Sequence, residues 1–214
     1  MILVTFALKE EAGPFQKIAA GRPGDNVSIL LTGIGKRNAD KSLRGYLDQN
    51  APDAVLTCGF AGGLAPELKI GDVVFETTDP GLADKISAAG GKRMKFFCAD
   101  RIATTAAEKE KLRTETGAEV VEMESSVIHA ICREREIPCA TVRCISDTAN
   151  EDLPIDFNQY SRPDKSLDMP KLLFAVATSP GKIGALMELQ KKAKFASEQL
   201  AQVLEKILGD ATRA

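Results

Sequence analysis

The chain alternates short apolar runs with longer stretches in which apolar residues recur every three to four positions. The apolar runs predict strands over residues 1–8, 27–31, 53–58, 73–77, 94–98 and 140–145. Helical spacing follows in residues 36–48, after position 124, and over about 180–208, where Ser179 and Pro180 form a typical helix start. This pattern and the length favour one α/β domain over residues 1–214.

The stretch from residue 117 to 150 carries acidic side chains that an apolar β/α unit does not need. Glu122 and Glu124 flank Met123 just before a predicted helix, and Asp147 ends the following strand. Each acid alone has an ordinary structural explanation, since acids favour helix starts and Asp often caps helices. A helix needs only one such acid, however, and open α/β sheets bind ligands at the carboxyl ends of their strands.

Two glycine-containing segments follow predicted strands. The first is TGIGK at 32–36, and the second is GFAGGLAP at 59–66. Free backbone N–H groups in such a turn bind anions or polar ligands, although the spacing of a P-loop is missing. Packing alone could explain one of the glycines in the second segment, whereas several together indicate a close backbone approach to a ligand or a neighbouring element.

Composition narrows the function classes. The 214 residues are 44% hydrophobic and 27% charged, with a formal charge of −2. This charge gives no basic footprint for nucleic acid. No apolar run is long enough to span a bilayer and no signal peptide is evident, so the sequence predicts a cytoplasmic protein.

Cysteine and histidine usage excludes several kinds of site. The five cysteines form no CxxC pair, and His129 is the only histidine. A structural disulfide, a zinc site or a Ser-His-Asp triad is therefore not expected. We predict no metal and no cofactor, and we interpret His129 as a structural residue.

Four motifs occur in the order found in a known superfamily: TGIGK at 32–36, CGFAGGLAPELKIGDVV at 58–74, VEMES at 121–125 and VRCISDTA at 142–149. The chain thereby resembles the nucleoside phosphorylase/nucleosidase superfamily, and most closely the methylthioadenosine/S-adenosylhomocysteine nucleosidases. The resemblance covers most of the first 150 residues. It implies a three-layer α/β/α sandwich around a twisted mixed central sheet, and cleavage of the N-glycosidic bond of a purine nucleoside.

The resemblance also implies the roles of individual residues. Asp147, held by Ser146, would protonate N7 of the purine, and Glu11 would activate the attacking water. Glu124 would bind the ribose hydroxyls. The other residues expected to bind substrate are Phe60, Ala61, Gly62, Glu122, Met123, Arg143 and Phe157. An oxocarbenium-like sugar needs nearby negative charge and a protonated leaving group, which this division of acids would supply.

Hydrolysis and phosphorolysis remain to be separated. Phosphorylases of the superfamily commonly have an arginine just before the glycine-rich turn, where this chain has Thr57 and Cys58. Glu11 matches the hydrolases instead, so hydrolysis is favoured. Lys36, Arg37 and Arg143 are still available as phosphate ligands, so a phosphate-dependent purine nucleoside phosphorylase is the alternative. A non-catalytic nucleoside-binding relative is a further alternative, against which the three acids argue.

Two departures from the familiar nucleosidases concern the substrate's 5′ substituent. Phe60 replaces a residue that is often serine, and residues 78–93 form only a short link where dimeric nucleosidases carry a longer insertion. The segments 152–157 and 179–200 resemble hopanoid-associated members that release adenine from adenosylhopane. The substrate is therefore expected to be an adenine nucleoside of the methylthioadenosine or S-adenosylhomocysteine kind, or adenosylhopane.

The resemblance has further consequences for partners and for the entrance to the site. With an adenosylhopane-like substrate, apolar residues around 78–93 and 172–187 would form an apolar entrance, and contact with a lipid substrate would be transient. Relatives of this kind commonly form homo-oligomers, so a homodimer is expected.

Overall fold

The computed structural model describes residues 1–22, 26–160 and 183–209, and within them eight strands form one mixed sheet. Its hydrogen-bonded order is β2-β1-β3-β8-β4-β5, with β7 pairing with the end of β3 and with β6. Strands β1, β2, β3 and β8 are parallel, and β4 runs antiparallel to β8. The strands are β1 (Ile2–Phe6), β2 (Val27–Leu31), β3 (Ala54–Gly63), β4 (Val73–Thr77), β5 (Lys92–Arg93), β6 (Phe96–Cys98), β7 (Val120–Glu122) and β8 (Cys139–Asp147).

Helices cover both faces of this sheet. The helices are α1 (Lys9–Ala20), α2 (Lys36–Leu47), α3 (Pro80–Ala88), α4 (Ala106–Thr116), α5 (Ser125–Glu134) and α6 (Ile183–Gly209), with a short 3₁₀ helix at Phe157–Tyr160. Helices α1, α3 and α6 share one buried apolar cluster, whereas α2 and α5 share another. The three-layer α/β/α sandwich with a mixed central sheet is confirmed.

The two apolar clusters explain why the strands read as continuous apolar runs. Successive side chains of a strand point to opposite faces of the sheet. Val4 and Leu56 accordingly pack into the cluster of α1, α3 and α6, whereas Leu3 and Val55 pack into that of α2 and α5. Because both faces are covered, most positions of these strands are apolar, and polar residues such as Thr57 are few.

Strand β3 is longer than the sequence predicts. It was expected to end at Cys58 and to be followed by a glycine-rich turn, but it continues to Gly63 and pairs with β8 and β7. The pairing with β8 shifts register between Ala61 and Gly62. The glycines therefore lie within the sheet, where they let neighbouring side chains approach the backbone closely.

The link at residues 78–93 is more regular than expected. It contains helix α3, whose N-cap residue Asp79 accepts a hydrogen bond from the backbone of Leu82 at 2.8 Å, with Pro80 in the first turn. The predicted strand at 94–98 is shorter and forms β6. None of the helices in the described part of the chain combines the length and apolarity needed to cross a bilayer.

Candidate active site

A cavity of about 310 Å³ opens at the carboxyl ends of β1, β3 and β8. This is the edge at which open α/β sheets bind ligands. All the predicted site residues except Arg143 line it, namely Glu11, Phe60, Ala61, Gly62, Glu122, Met123, Glu124, Ser146, Asp147 and Phe157. The fold thus brings together residues from the first helix to the loop beyond β8.

Arg143 lies behind this cavity, with only 1% of its side chain exposed. Its Nη2 atom lies 2.7 Å from Glu122 Oε2 and 3.3 Å from Glu124 Oε2, and it donates to Thr57 Oγ1 at 3.3 Å. A buried arginine needs such partners because an unpaired buried charge is very costly. Arg143 therefore neutralises a carboxylate cluster rather than lining the cavity.

Glu122 performs the capping role that the sequence allowed for one of the two acids. Its Oε2 atom accepts hydrogen bonds from the backbone N–H groups of Glu124 and Ser125, at 3.0 and 2.8 Å. Its Oε1 atom accepts one from Ser125 Oγ at 2.6 Å. Burial raises the pKa of Glu122, but the Arg143 charge and these donors outweigh it, and the net pKa is lowered. With both oxygens engaged, Glu122 has little capacity left for a ligand.

Because Glu122 caps α5, the carboxylate of Glu124 can contact other groups of the site. Its Oε1 atom accepts a hydrogen bond from the backbone N–H of Gly35 at 2.8 Å. Gly35 has a φ of +84°, a conformation that favours glycine, so the TGIGK turn serves this contact. Burial, reinforced by the neighbouring Glu122 charge and opposed by Arg143, raises the pKa of Glu124 to about 7.

Glu11 is held by two backbone donors at the start of α1. Leu8 N–H donates to its Oε2 atom at 2.8 Å, as in a capping box, and Phe60 N–H donates to its Oε1 atom at 2.9 Å. Burial raises the pKa of Glu11, against the opposing effects of Arg143 and the backbone donors. A carboxylate with a raised pKa that faces a cavity is suited to accepting a proton.

Gly59 allows Glu11 and Arg143 to approach the same point of β3. A Cβ atom at this position would lie 2.6 Å from Arg143 Nη1 and 2.7 Å from Glu11 Oε1. Gly62 lies similarly close to Asp147, where a Cβ atom would be 3.2 Å from Oδ2. Gly59 is therefore required by the charged side chains packed over it, whereas the contacts at Gly62 are tight but less severe.

Asp147 lines the cavity from the carboxyl end of β8. Ser146 Oγ donates to its Oδ1 atom at 2.8 Å, so the predicted support by Ser146 is present. Its Oδ2 atom lies 2.6 Å from the ammonium group of Lys109 on α4, which sequence reasoning did not single out. Lys109 stands in a polar stretch, but it lies three residues before Leu112, which also packs inward. That helical spacing is the signal that could have identified it.

The outer wall of the cavity is mostly apolar. It includes Ile34, Ile102, Ala103, Leu153 and Phe157, together with Leu189 and Ala193 of α6. Asn158 holds part of this wall in place, because its side chain accepts from Ile102 N–H and donates to Ile102 O, each at 3.0 Å. The site thus has a charged floor and an apolar mouth.

Comparisons with known proteins agree with this geometry. The family model described as the phosphorylase superfamily matches residues 8–84 and 76–178. The chain belongs to the phosphorylase superfamily. Among its relatives, the 5′-methylthioadenosine/S-adenosylhomocysteine nucleosidase of Shewanella sediminis is 29% identical over 178 residues, which are 67% of this chain and 77% of the relative. That of Anoxybacillus flavithermus is 29% identical over 172 residues, or 64% and 74% of the two chains.

Solved structures show the same fold. Futalosine hydrolase of Helicobacter pylori superposes with a TM-score of 0.73 and 18% identity, covering 98% of this chain and 97% of that one. The methylthioadenosine/S-adenosylhomocysteine nucleosidase of the same organism, solved with a pyrrolidine-based ligand, gives the same values. At this identity the likeness establishes the phosphorylase-superfamily fold alone.

One expectation for this superfamily member is wrong. Residues 78–93 do not form an entrance to the site; Asp79, Leu82 and Lys85 instead line a second cavity of about 420 Å³, beside Met1 and Ile2 at the opposite ends of the strands. The register of β4 and the packing of α3 against β4 and β8 carry this link away from the site. Of the other predicted entrance segment, residues 172–182 lie outside the described residues.

Proposed function

We propose that this chain is a purine nucleosidase that hydrolyses the N-glycosidic bond of an adenine nucleoside with a 5′ substituent. The observation that carries the proposal is the placement of Asp147 at one side of a single cavity and of Glu11 and Glu124 at the other. Cleavage of a glycosidic bond uses acids in these two positions, one to assist the leaving group and one to act at the sugar.

The proposed reaction assigns one step to each side. Asp147 gives its proton to N7 of the purine while the C1′–N9 bond breaks and its electron pair enters the base. The developing positive charge on the sugar is stabilised by the carboxylates of the cluster around Arg143. Glu11 accepts a proton from the attacking water, whose oxygen then bonds to C1′, while Glu124 binds the ribose hydroxyls.

The charged groups around Glu11, Glu124 and Arg143, which we call the sugar side of the cavity, support water over phosphate as the nucleophile. Arg143 is buried and engaged by carboxylates, and Lys36 forms an ion pair with Asp100 at 2.8 Å. Arg101 is the cation lining the cavity among the described residues, and it pairs with Glu108. A phosphate dianion would therefore meet more negative than positive charge at this end of the cavity.

The apolar mouth supports a substrate whose 5′ substituent is itself apolar, because ligand pockets match apolar walls to apolar groups. Methylthioadenosine and S-adenosylhomocysteine are the substrates named for the curated relatives. An adenosine with a long apolar 5′ chain, as in adenosylhopane, stays a prediction, since the names of the relatives reported above do not include such a substrate. The exposed Ile183, Met187 and Phe195 of α6 support the predicted homo-oligomer, which sedimentation would measure.

The test is the release of free base from methylthioadenosine, S-adenosylhomocysteine, adenosine, inosine and an adenosine with a long apolar 5′ chain, each with and without phosphate. We expect adenine release without phosphate and a preference for apolar 5′ groups. Release that requires phosphate and yields a ribose 1-phosphate would make the chain a phosphorylase. Binding without any release would identify a non-catalytic relative.

A further inference from the structure

Lys109 is a buried cation beside the candidate acid. Its side chain has 0% exposure. Its ammonium group lies 2.6 Å from Asp147 Oδ2 and donates to the backbone carbonyls of Thr148 and Glu151 at 2.7 and 3.1 Å. These three acceptors match the three hydrogens of an ammonium group, whereas a neutral amine has only two. The three acceptors around Lys109 therefore fit the geometry of an ammonium group.

The Lys109 charge lies against the acid that the proposed reaction uses. A buried ammonium needs a counterion, because unpaired burial of a charge is strongly unfavourable. Lys109 pairs directly with the carboxyl group of Asp147, which also lines the cavity, and its charge also attracts the Glu151 carboxylate. The fold has thus placed a fixed positive charge against Asp147.

The loop directly after β8, residues 148–151, holds this cation in a fixed position. Glu151 Oε1 accepts a hydrogen bond from Thr148 N–H at 2.7 Å, which ties together the two residues whose carbonyls bind Lys109. Glu151 Oε2 in turn accepts one from Lys192 of α6 at 2.6 Å. A charge held in this way needs no rearrangement during the reaction, which is the condition for effective electrostatic stabilisation.

Resting on the purine nucleosidase function proposed above, we propose that Lys109 is a positioning residue that stabilises the Asp147 carboxylate formed as its proton passes to the purine. In this step the O–H bond of Asp147 breaks and an N–H bond forms at N7. Asp147 takes up this proton from solvent before the step, and the step returns Asp147 to the carboxylate that pairs with Lys109 in the structure. Over one turnover Asp147 loses a proton and Glu11 gains one from water, and exchange with solvent through the open cavity restores both.

The same contact orients the acid. Asp147 has Ser146 Oγ on Oδ1 and Lys109 on Oδ2, so both oxygens are held and the carboxyl plane is set by the two partners. Without Lys109, the hydrogen bond from Ser146 alone would hold the orientation of the Asp147 carboxyl group. The consequence is a lower rate of the step that protonates the base, with no direct effect on the binding of the sugar.

The test compares two substrates in the variants K109M and K109R. The first is methylthioadenosine, whose base needs protonation, and the second is 4-nitrophenyl 5-methylthioriboside, whose nitrophenolate leaves without it. For K109M we expect kcat on methylthioadenosine to fall about 100-fold with KM changed less than about threefold, in line with the loss of one fixed electrostatic partner. On the nitrophenyl substrate we expect a loss below about threefold, because that bond breaks without acid assistance. K109R keeps the charge and should retain kcat within about tenfold of wild type.

Lys111 provides the matched control. It lies on the same helix with 72% of its side chain exposed, and K111M should behave as wild type with both substrates. In the D147N background, K109M should cause little further loss, because no carboxylate is formed there. Thermal unfolding of each variant measures its stability separately.

Equal losses on the two substrates would overturn the inference, since a merely structural residue would affect both. Unchanged kcat in K109M would overturn it as well. Should K109M not fold, K109Q takes its place, because it also removes the charge but can still donate to the carbonyls of Thr148 and Glu151: a loss confined to methylthioadenosine supports the inference, and an equal loss or no loss on both substrates refutes it. A wild-type enzyme that releases no purine refutes the proposed function and this inference together, whereas an active wild type with an unchanged K109M refutes the inference alone.

Discussion

The two sides of the cavity carry different balances of charge. On the sugar side, the carboxylates of Glu11, Glu122 and Glu124 surround the single guanidinium of Arg143. On the base side, the carboxylate of Asp147 faces the single ammonium of Lys109. All six groups are buried. The first side has an excess of acid, and the second is matched one to one.

This difference suits the two halves of the proposed reaction. An excess of buried acid separates the pKa values of its members: the pKa of Glu122 is lowered, whereas those of Glu11 and Glu124 are raised. Such a cluster can stabilise a positive sugar and also accept a proton from water. On the base side, the pair of Asp147 and Lys109 has no excess charge once the proton has passed to the base, so Lys109 stabilises the carboxylate that the step produces.

The largest effect is expected from removing the cation of the sugar side. Arg143→Met leaves three buried carboxyl groups without their common partner, and we expect the free energy of unfolding to fall by about 3–5 kcal/mol at pH 7. Urea unfolding measures this change. The control is Arg44→Met, which removes an exposed ion pair with Glu134 and should cause no measurable change. Equal stability of the Arg143 variant and wild type would mean that the acids do not depend on this cation.

The second-largest effect is expected from replacing Asp147, the acid of the base side. Asp147→Asn keeps the shape of the side chain but cannot supply a proton, so kcat for purine release should fall about 10³-fold with KM changed only a few-fold. Asp152→Asn is the control, because Asp152 lies on the same loop and only accepts a backbone hydrogen bond from Ala106. A variant at position 147 with normal turnover would remove Asp147 from the mechanism.

A smaller effect follows from the pKa of Glu124, which burial raises to about 7 from an ordinary value of 4.5. Between these values the folded state binds more protons than the unfolded state, so stability falls as pH rises and levels off above about pH 7. We expect this group to contribute a loss of roughly 1–3 kcal/mol between pH 5 and 8.

Glu124→Gln should make the pH dependence of stability shallower over this range, as urea unfolding at several pH values would show. The exposed Glu67→Gln should leave it as in wild type. Because the pKa of Glu11 is also raised, some slope should remain in the Glu124 variant. An unchanged slope in that variant would contradict the assignment of the titration to Glu124.

The smallest effect concerns the outermost contact of the base side. Lys192 is partly exposed where it pairs with Glu151, and such pairs contribute at most about 1 kcal/mol. Lys192→Met should lower kcat two- to threefold, about the scale of such a pair, by loosening the loop that holds Lys109. Lys191→Met, one residue away on the same helix and largely exposed, should have no effect on kcat. A loss of tenfold or more at Lys192 would mean that the matched pair depends on α6 far more than the contact distances indicate.

Local patterns in the sequence predicted most of the fold. The strands at Val27–Leu31 and Val73–Thr77 were predicted with the bounds that the structure has. The predicted C-terminal helix at about 180–208 is present over Ile183–Gly209 within the described residues. These elements are set by short-range periodicity, which a single sequence contains in full. The glycines of β3 misled the prediction because glycine favours turns locally, whereas here it serves close packing within a sheet.

Some features of the candidate site could likewise be predicted from the sequence, and others could not. Glu124 and Asp147 stand in motifs next to predicted strand ends, so their position at one edge of the sheet followed from the sequence, whereas Glu11 was expected there from the family resemblance. Which of the acids near 122–124 would cap α5 did not follow, because either spacing allows it; the structure assigns the cap to Glu122 through its bonds to Glu124 and Ser125.

By itself, the sequence determined the α/β class and the order of most of the elements, since both depend on neighbours within a few residues, and the resemblance of its motifs to a known family indicated the acids at the cavity. Only the tertiary structure decided which cation each acid meets. Lys109 and Asp147 are far apart in the chain and come within 2.6 Å because α4 packs beside the loop after β8. Contacts of that kind depend on how whole elements pack together, and the charge balance of each side of the site is set by them.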